Sequence, residues 1–186
     1  MLTPERKTDR RIRATYGRYL EEFEVGDIYE HRPGRTITES DNIQFSLLTM
    51  NTNQMHFNAE YAARSEFKKP LVVSTLTVAI AVGQSVTDLT QNAFANLGWD
   101  DIKMTHPVFA GDTLYSESIV LEKRESSSRP HAGIVTVRTR TLNQDGKEVC
   151  SFLRTFYVYK RGAEQLEGGF PEGKRSLLTG TDLAED

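Results

Sequence analysis

Residues 71–86, LVVSTLTVAIAVGQSV, form the longest apolar run of the chain, and the fold turns on whether they make a strand or a helix. Val72, Val73, Thr75, Thr77, Val78 and Ile80 supply the β-branched content of a strand, while the length suits a buried helix. Periodicity does not separate the two in a run apolar on every side, so length decides, and the stretch reads as a buried helix. The apolar part, Leu71 to Gly83, is too short to cross a bilayer and carries Ser74, Thr75 and Thr77.

Outward from this run the two halves of the chain differ. Before it, TITESDNIQFSLLT (36–49) offers Thr38 or Ser40 as an N-cap, followed by Ile43, Phe45, Leu47 and Leu48 at amphipathic spacing. Asn58 is placed to cap a second helix, AEYAARSEF (59–67), broken before Pro70. After the run the chain is strand-like. DTLYSESIVLEKRE (112–125), AGIVTVRTRTL (132–142) and KEVCSFLRTFYVYKR (147–161) alternate or are rich in β-branched and aromatic residues. Asp145-Gly146 marks a hairpin between the last two. GWDDIKMTHPVFAGD, from 98, reads as a further strand ending at Pro107. Helices followed by an antiparallel meander, with one apolar helix to cover, predict an α+β fold whose sheet wraps a central helix. The expected organisation is a polar tail over 1–15, one domain over 16–160 and a second tail over 161–186. Exposed edges of such a sheet invite a second copy of the chain.

Composition narrows the function. A net charge of −3 supplies no basic field for nucleic acid or an anionic membrane, so neither is expected as a partner. Cys150 is the single cysteine, which leaves no intrachain disulfide or cysteine zinc site and reads as a small buried thiol. MLTPERKTDRRIRATYGRY (1–19) has no apolar segment of a secretory signal, and Glu5 and Asp9 are foreign to a transit peptide. A cytoplasmic protein is the expectation. His31, His106 and His131 share no ligand spacing, so no metal is expected. No phosphate loop or nucleophile elbow occurs, and no cofactor is predicted.

The polar stretch TMNTNQMHFN (49–58) is the candidate site. It places His56 between two helices, where a scaffold can fix it, and imidazole is the side chain suited to proton transfer near neutral pH. Asn51 and Asn53 suit turns, where their amides bond nearby backbone.

NTNQMHFNAEYAARSEFKKPLVVSTLTVAI (51–80), followed by HPVFAGDTL (106–114), resembles the MaoC-like, R-specific enoyl-CoA hydratases of the hot-dog fold. The resemblance covers roughly residues 18 to 160, and Phe23, Val25, Gly26 and Asp27 are similar to that family's opening strand. The family motif reads Asp, any residue, Asn, Pro, any residue, His. Asn53 and His56 match it, while Asn51 stands at the catalytic aspartate and Gln54 at the proline. Val73-Ser74 stands where the family has His-Gly, whose glycine N–H receives the thioester oxygen. The resemblance therefore implies an acyl-CoA substrate, His56 as base toward water, Asn51 as a water-orienting amide and Ser74 N–H as the oxyanion donor. Asn53 and Val73 support the site.

LLTMNTNQMHFN, KKPLVVSTL and NAFANLGWDDI are further similar to the branch acting on mesaconyl- or itaconyl-type dicarboxylyl thioesters. A free carboxylate on the substrate makes Arg64, Lys68 and Lys69 candidates for binding it, or for meeting CoA phosphates. A homodimer or larger homo-oligomer, with CoA along the subunit interface, is the implied assembly. Two rival readings stay open: a non-catalytic hot-dog subunit that binds acyl-CoA or completes a partner's dimer, and a hot-dog thioesterase or acyl-carrier dehydratase. Against the thioesterase, no carboxylate lies between Leu71 and Val86.

Overall fold

The computed structural model describes residues 17–163, with 5–6, 12–13 and 173–175 beyond them, and in it residues 71–86 divide: 71–73 are extended and helix begins at Ser74. In chain order, β1 (Glu5–Arg6) and β2 (Ile12–Arg13) pair antiparallel with each other. β3 (Ile28–Glu30) and β4 (Arg35–Thr36) follow, then α1 (Glu39–Leu48), α2 (Ala59–Ala62) and α3 (Ser74–Ser85). The second half holds β5 (Ala93–Met104), β6 (Thr113–Glu125), β7 (Ala132–Leu142) and β8 (Glu148–Tyr159).

These form an antiparallel sheet in the order β3-β6-β7-β8-β5, with β4 also on β6. The sheet wraps α3, the expected α+β hot-dog architecture. Helix wins in residues 74–85 because burial outweighs the small χ1 penalty of β-branched residues. Leu76, Thr77, Ala81 and Ser85 are buried, and small Ala81 lets the sheet approach closely. One part of the core gathers Ile37, Val73, Leu76, Leu114, Val149 and Phe152 around the first turns of α3. The other gathers Leu20, Phe23, Leu89, Val120, Phe156 and Val158 beyond its far end. Gln84 fixes the helix to the sheet: its Nε2 donates to the carbonyls of Leu114 (2.9 Å) and Pro33 (3.0 Å), and its Oε1 accepts from Ser116 Oγ (2.7 Å).

At the C-terminal end of α3, Arg154 of β8 lies buried. Its Nε donates to Asn96 Oδ1 (2.8 Å) and an Nη donates to Ser85 Oγ (3.2 Å). Burial lowers its pKa to about 10, so it stays charged at neutral pH. Cys150 is buried as expected, and burial raises its pKa to about 11.

Several boundaries differ from expectation. Thr38, rather than Ser40, caps α1: its Oγ1 accepts from Asp41 N–H (3.1 Å), while the Asp41 carboxylate receives Thr38 N–H (2.8 Å). The Thr38 hydroxyl, donating to the Asp41 carboxylate (2.7 Å), and then the Thr38 N–H and Arg35 hold that carboxyl below the usual range. The second helix stops at Ala62, because Ser65 Oγ donates back to the Ala62 carbonyl (2.6 Å) and accepts Phe67 N–H (3.2 Å). Residues 23–27 form a turn ahead of β3, closed by Asp27 N–H to the Glu24 carbonyl (3.2 Å). β5 begins at Ala93, earlier than its alternation indicates, and ends at Met104. Its bulges against β8 break the two-residue period that pattern reading relies on. The expected tails fall largely outside the described residues.

Candidate active site

The polar stretch after α1 is shaped by its own amides. Met50 takes a left-handed conformation (φ 56°) and turns the chain out of the helix. Asn51 N–H then donates to the Ser46 carbonyl (2.8 Å), and Asn51 Oδ1 accepts Asn53 N–H (3.0 Å). Asn53 Oδ1 accepts Met55 N–H (3.1 Å) and caps a 3-10 turn over Gln54–His56. Both asparagines therefore hold the loop through their carbonyl oxygens, which leaves the Asn51 NH2 to face another group.

His56 sits at the end of that turn, half-buried, with Nδ1 3.0 Å from the Leu71 carbonyl. A carbonyl only accepts, so Nδ1 carries the hydrogen and the neutral ring presents Nε2 as its lone-pair nitrogen. The same Leu71 carbonyl accepts from Asn42 Nδ2 (2.9 Å), which also donates to the His56 carbonyl (2.7 Å). Asn42 Oδ1 accepts Val73 N–H (2.9 Å) at the N-cap of α3. One buried side chain on α1 thus joins the histidine turn to the start of α3. Ser74 N–H, at the first helical position, has no acceptor among the described residues. A free N–H at a helix N-terminus is suited to an anionic oxygen.

Beside that N-terminus is a cleft of about 230 Å³, walled by Phe67, Leu71, Ser74, Thr77, Met104 and His106, among others; Ser74 lines it, whereas His56 and Asn51 lie outside its walls. A larger concavity of about 470 Å³ shares none of these residues; it lies between the 30–34 segment and β6.

The mesaconyl-CoA hydratase family model matches residues 3–185. The chain belongs to that family. It is 32% identical over 150 residues to the mesaconyl-CoA hydratase of Cereibacter sphaeroides, a match covering 81% of this chain and 43% of that protein. Among solved structures, a putative MaoC domain dehydratase from Chloroflexus aurantiacus superposes with a TM-score of 0.75 at 29% identity, covering 84% of this chain and 45% of that one. A Mycobacterium tuberculosis protein described as a double hot-dog fold gives 0.73 at 23% identity, covering 80% and 46%, a likeness of fold. The chain spans less than half the length of the curated relative.

The three cations near the motif differ in setting. Arg64 forms an exposed ion pair with Glu60 (2.9 Å). Lys68 occupies a left-handed turn position (φ 61°). Lys69 lies 4.0 Å from the centroid of the Phe109 ring and has no carboxylate partner among the described residues. Sequence reasoning missed Asn42, because a helical Asn gives no motif and its three partners are backbone atoms brought in from two other segments. It also left His31 unplaced. That ring is buried on the far side of the fold, with Nδ1 against Asp88 (2.9 Å) and Nε2 against Ser118 Oγ (2.8 Å).

Proposed function

We propose that this chain catalyses reversible hydration of a 2-enoyl-CoA thioester, with a short branched dicarboxylyl-CoA of the mesaconyl or itaconyl type as substrate. The observation that supports the reading is the joint anchoring of the His56 turn and the α3 N-terminus by Asn42, as a base and an oxyanion donor acting together would require.

In this reading His56 Nε2 removes a proton from water as the water oxygen bonds to C3. The C2–C3 π electrons move toward the thioester, and negative charge gathers on its oxygen. Ser74 N–H donates to that oxygen, aided by the positive end of α3. The imidazolium returns its proton to C2 on the same face, so one water is added in total. Asn51 NH2 orients the water through a lone pair of its oxygen. Asn53 and Val73 hold the loop and the helix entry. An amide does not exchange protons at neutral pH, so His56 carries both proton transfers that the family motif divides with an aspartate. Losing a general acid or base forfeits about 10²–10⁴ in rate unless another group replaces it.

Lys69 is the cation we assign to the CoA phosphates. Lys68 and Arg64 are second choices, since Arg64 is already held by Glu60. Assembly as a cytoplasmic homodimer or larger homo-oligomer belongs to the same reading. Leu97, Trp99, Ile102 and Met104 are exposed along edge strand β5. Because Met104 also walls the cleft, a second copy on β5 would help close it. The Asx turn made by Asn51 favours a second reading, a binding subunit whose loop is only structural.

The test follows loss of enoyl-thioester absorbance with crotonyl-CoA, mesaconyl-CoA and itaconyl-CoA, for the native chain and His56→Ala. Turnover abolished by the substitution supports the hydratase. Acyl-CoA binding without turnover on any of the three supports the binding subunit.

A further inference from the structure

Thr77 is fully buried, yet its hydroxyl has no hydrogen-bond partner among the described residues. A buried helical threonine ordinarily bonds its hydroxyl back to a carbonyl of the preceding turn. Thr77 does not, and a valine would fill the same space without stranding a hydroxyl. The residue lines the 230 Å³ cleft together with Ser74, one turn earlier on the same face of α3. The three-residue step is about 4.5 Å along the helix axis.

We infer that Thr77 Oγ1, brought to the cleft wall by rotation about the Cα–Cβ bond, is a specificity determinant, donating to an oxygen on the distal carbon of the acyl chain while Ser74 N–H holds the thioester oxygen. This rests on the function proposed above and extends it to a residue. The two positions lie one turn apart on the wall of one cleft, so a single short acyl chain can run past both. The cleft is smaller than the roughly 300–1,000 Å³ of sites that hold drug-sized ligands, which restricts it to short acyl groups. Its polar side continues in His106. That ring donates Nδ1–H to the Glu148 carbonyl (2.6 Å), leaving Nε2 as the second hydrogen-bonding atom on that wall. Phe67, Leu71 and Met104 make the apolar side, which suits a methyl branch. An enoyl chain without a carboxylate would leave the Thr77 hydroxyl unpaired; a carboxylate satisfies it.

The test measures binding of two saturated, unreactive thioesters, methylsuccinyl-CoA and butyryl-CoA, by calorimetry to the native chain, Thr77→Val and Thr77→Ser. The native protein is expected to prefer methylsuccinyl-CoA. Thr77→Val should reduce that preference at least tenfold, and Thr77→Ser should keep it within about threefold because the hydroxyl remains. Thr77→Val should also melt higher, since it removes a stranded buried hydroxyl. A preference unchanged in Thr77→Val, or lost equally in Thr77→Ser, overturns the assignment. Selective binding without hydration of mesaconyl-CoA would instead overturn the hydratase reading and leave Thr77 in its place as a binding residue.

Discussion

At the scale of single residues, Asn42 has the most to lose. Its amide satisfies the carbonyls of His56 and Leu71 and the N–H of Val73, all within 2.9 Å. Removing one partner of a buried hydrogen bond costs about 1–3 kcal/mol. Asn42→Ala should therefore lower stability by about that amount, measured by denaturant unfolding. Asn42→Asp separates the roles of the amide: it can still accept from Val73 but cannot donate to the two carbonyls. It should reduce kcat more than it raises KM, because the histidine turn loses its anchor while the helix entry keeps its cap. Cys150 makes a second residue-scale test. With its thiol pushed up to about 11 by burial, it should resist a thiol reagent in the folded protein and react fully once denaturant is added.

At the scale of elements, the start of α3 permits a substitution that removes a single atom group. Ser74 is the first helical residue, and Val73 before it is extended (φ −62°, ψ 130°), the conformation a following proline requires. Ser74→Pro should leave the melting temperature nearly unchanged while deleting the N–H assigned to the oxyanion. The expected loss in kcat is about 10²–10³, the range for one oxyanion donor. Ser74→Ala, which keeps the N–H, should retain most activity. At the opposite end of the helix, His31 ties β3 to Asp88 and β6. Burial lowers its pKa, opposed by the facing Asp88 and Glu117 and aided by Arg18. The folded ring therefore gives up its proton more readily than the unfolded one, whose pKa is about 6.5. Its contribution is complete above about pH 6.5 and is lost as pH falls below that value. Melting temperature should decline from pH 7 to 5, and His31→Gln should flatten that decline.

At the scale of the whole molecule, an apolar edge is the feature that asks for a partner. β5 is an edge strand in the described sheet, and Trp99 and Ile102 are about half exposed on it. Asp100, Asp101 and Lys103 put charge among these apolar residues, so the edge is blunted only in part. Ile102→Lys should shift the protein to monomer in sedimentation or light scattering and, if the cleft is closed across that edge, weaken acyl-CoA binding as well. An unchanged oligomeric state would move the interface elsewhere.

The sequence by itself determined a good deal: the alternating strands of the second half, the capped α1, the buried thiol and the turn holding His56. All are local patterns, set by neighbours a few residues apart. The central helix was legible only through its length, since its β-branched content reads equally as a strand. What the tertiary structure decided is which distant groups meet. Asn42 reaches from α1 to the Leu71 carbonyl, 29 positions away in the chain, and Thr77, on the wall of the cleft, is left without a hydrogen-bond partner among the described residues. No window of sequence carries either fact. The partners of Asn42 are main-chain atoms, identical at every residue, and the fold alone selects which of them a buried side chain finds.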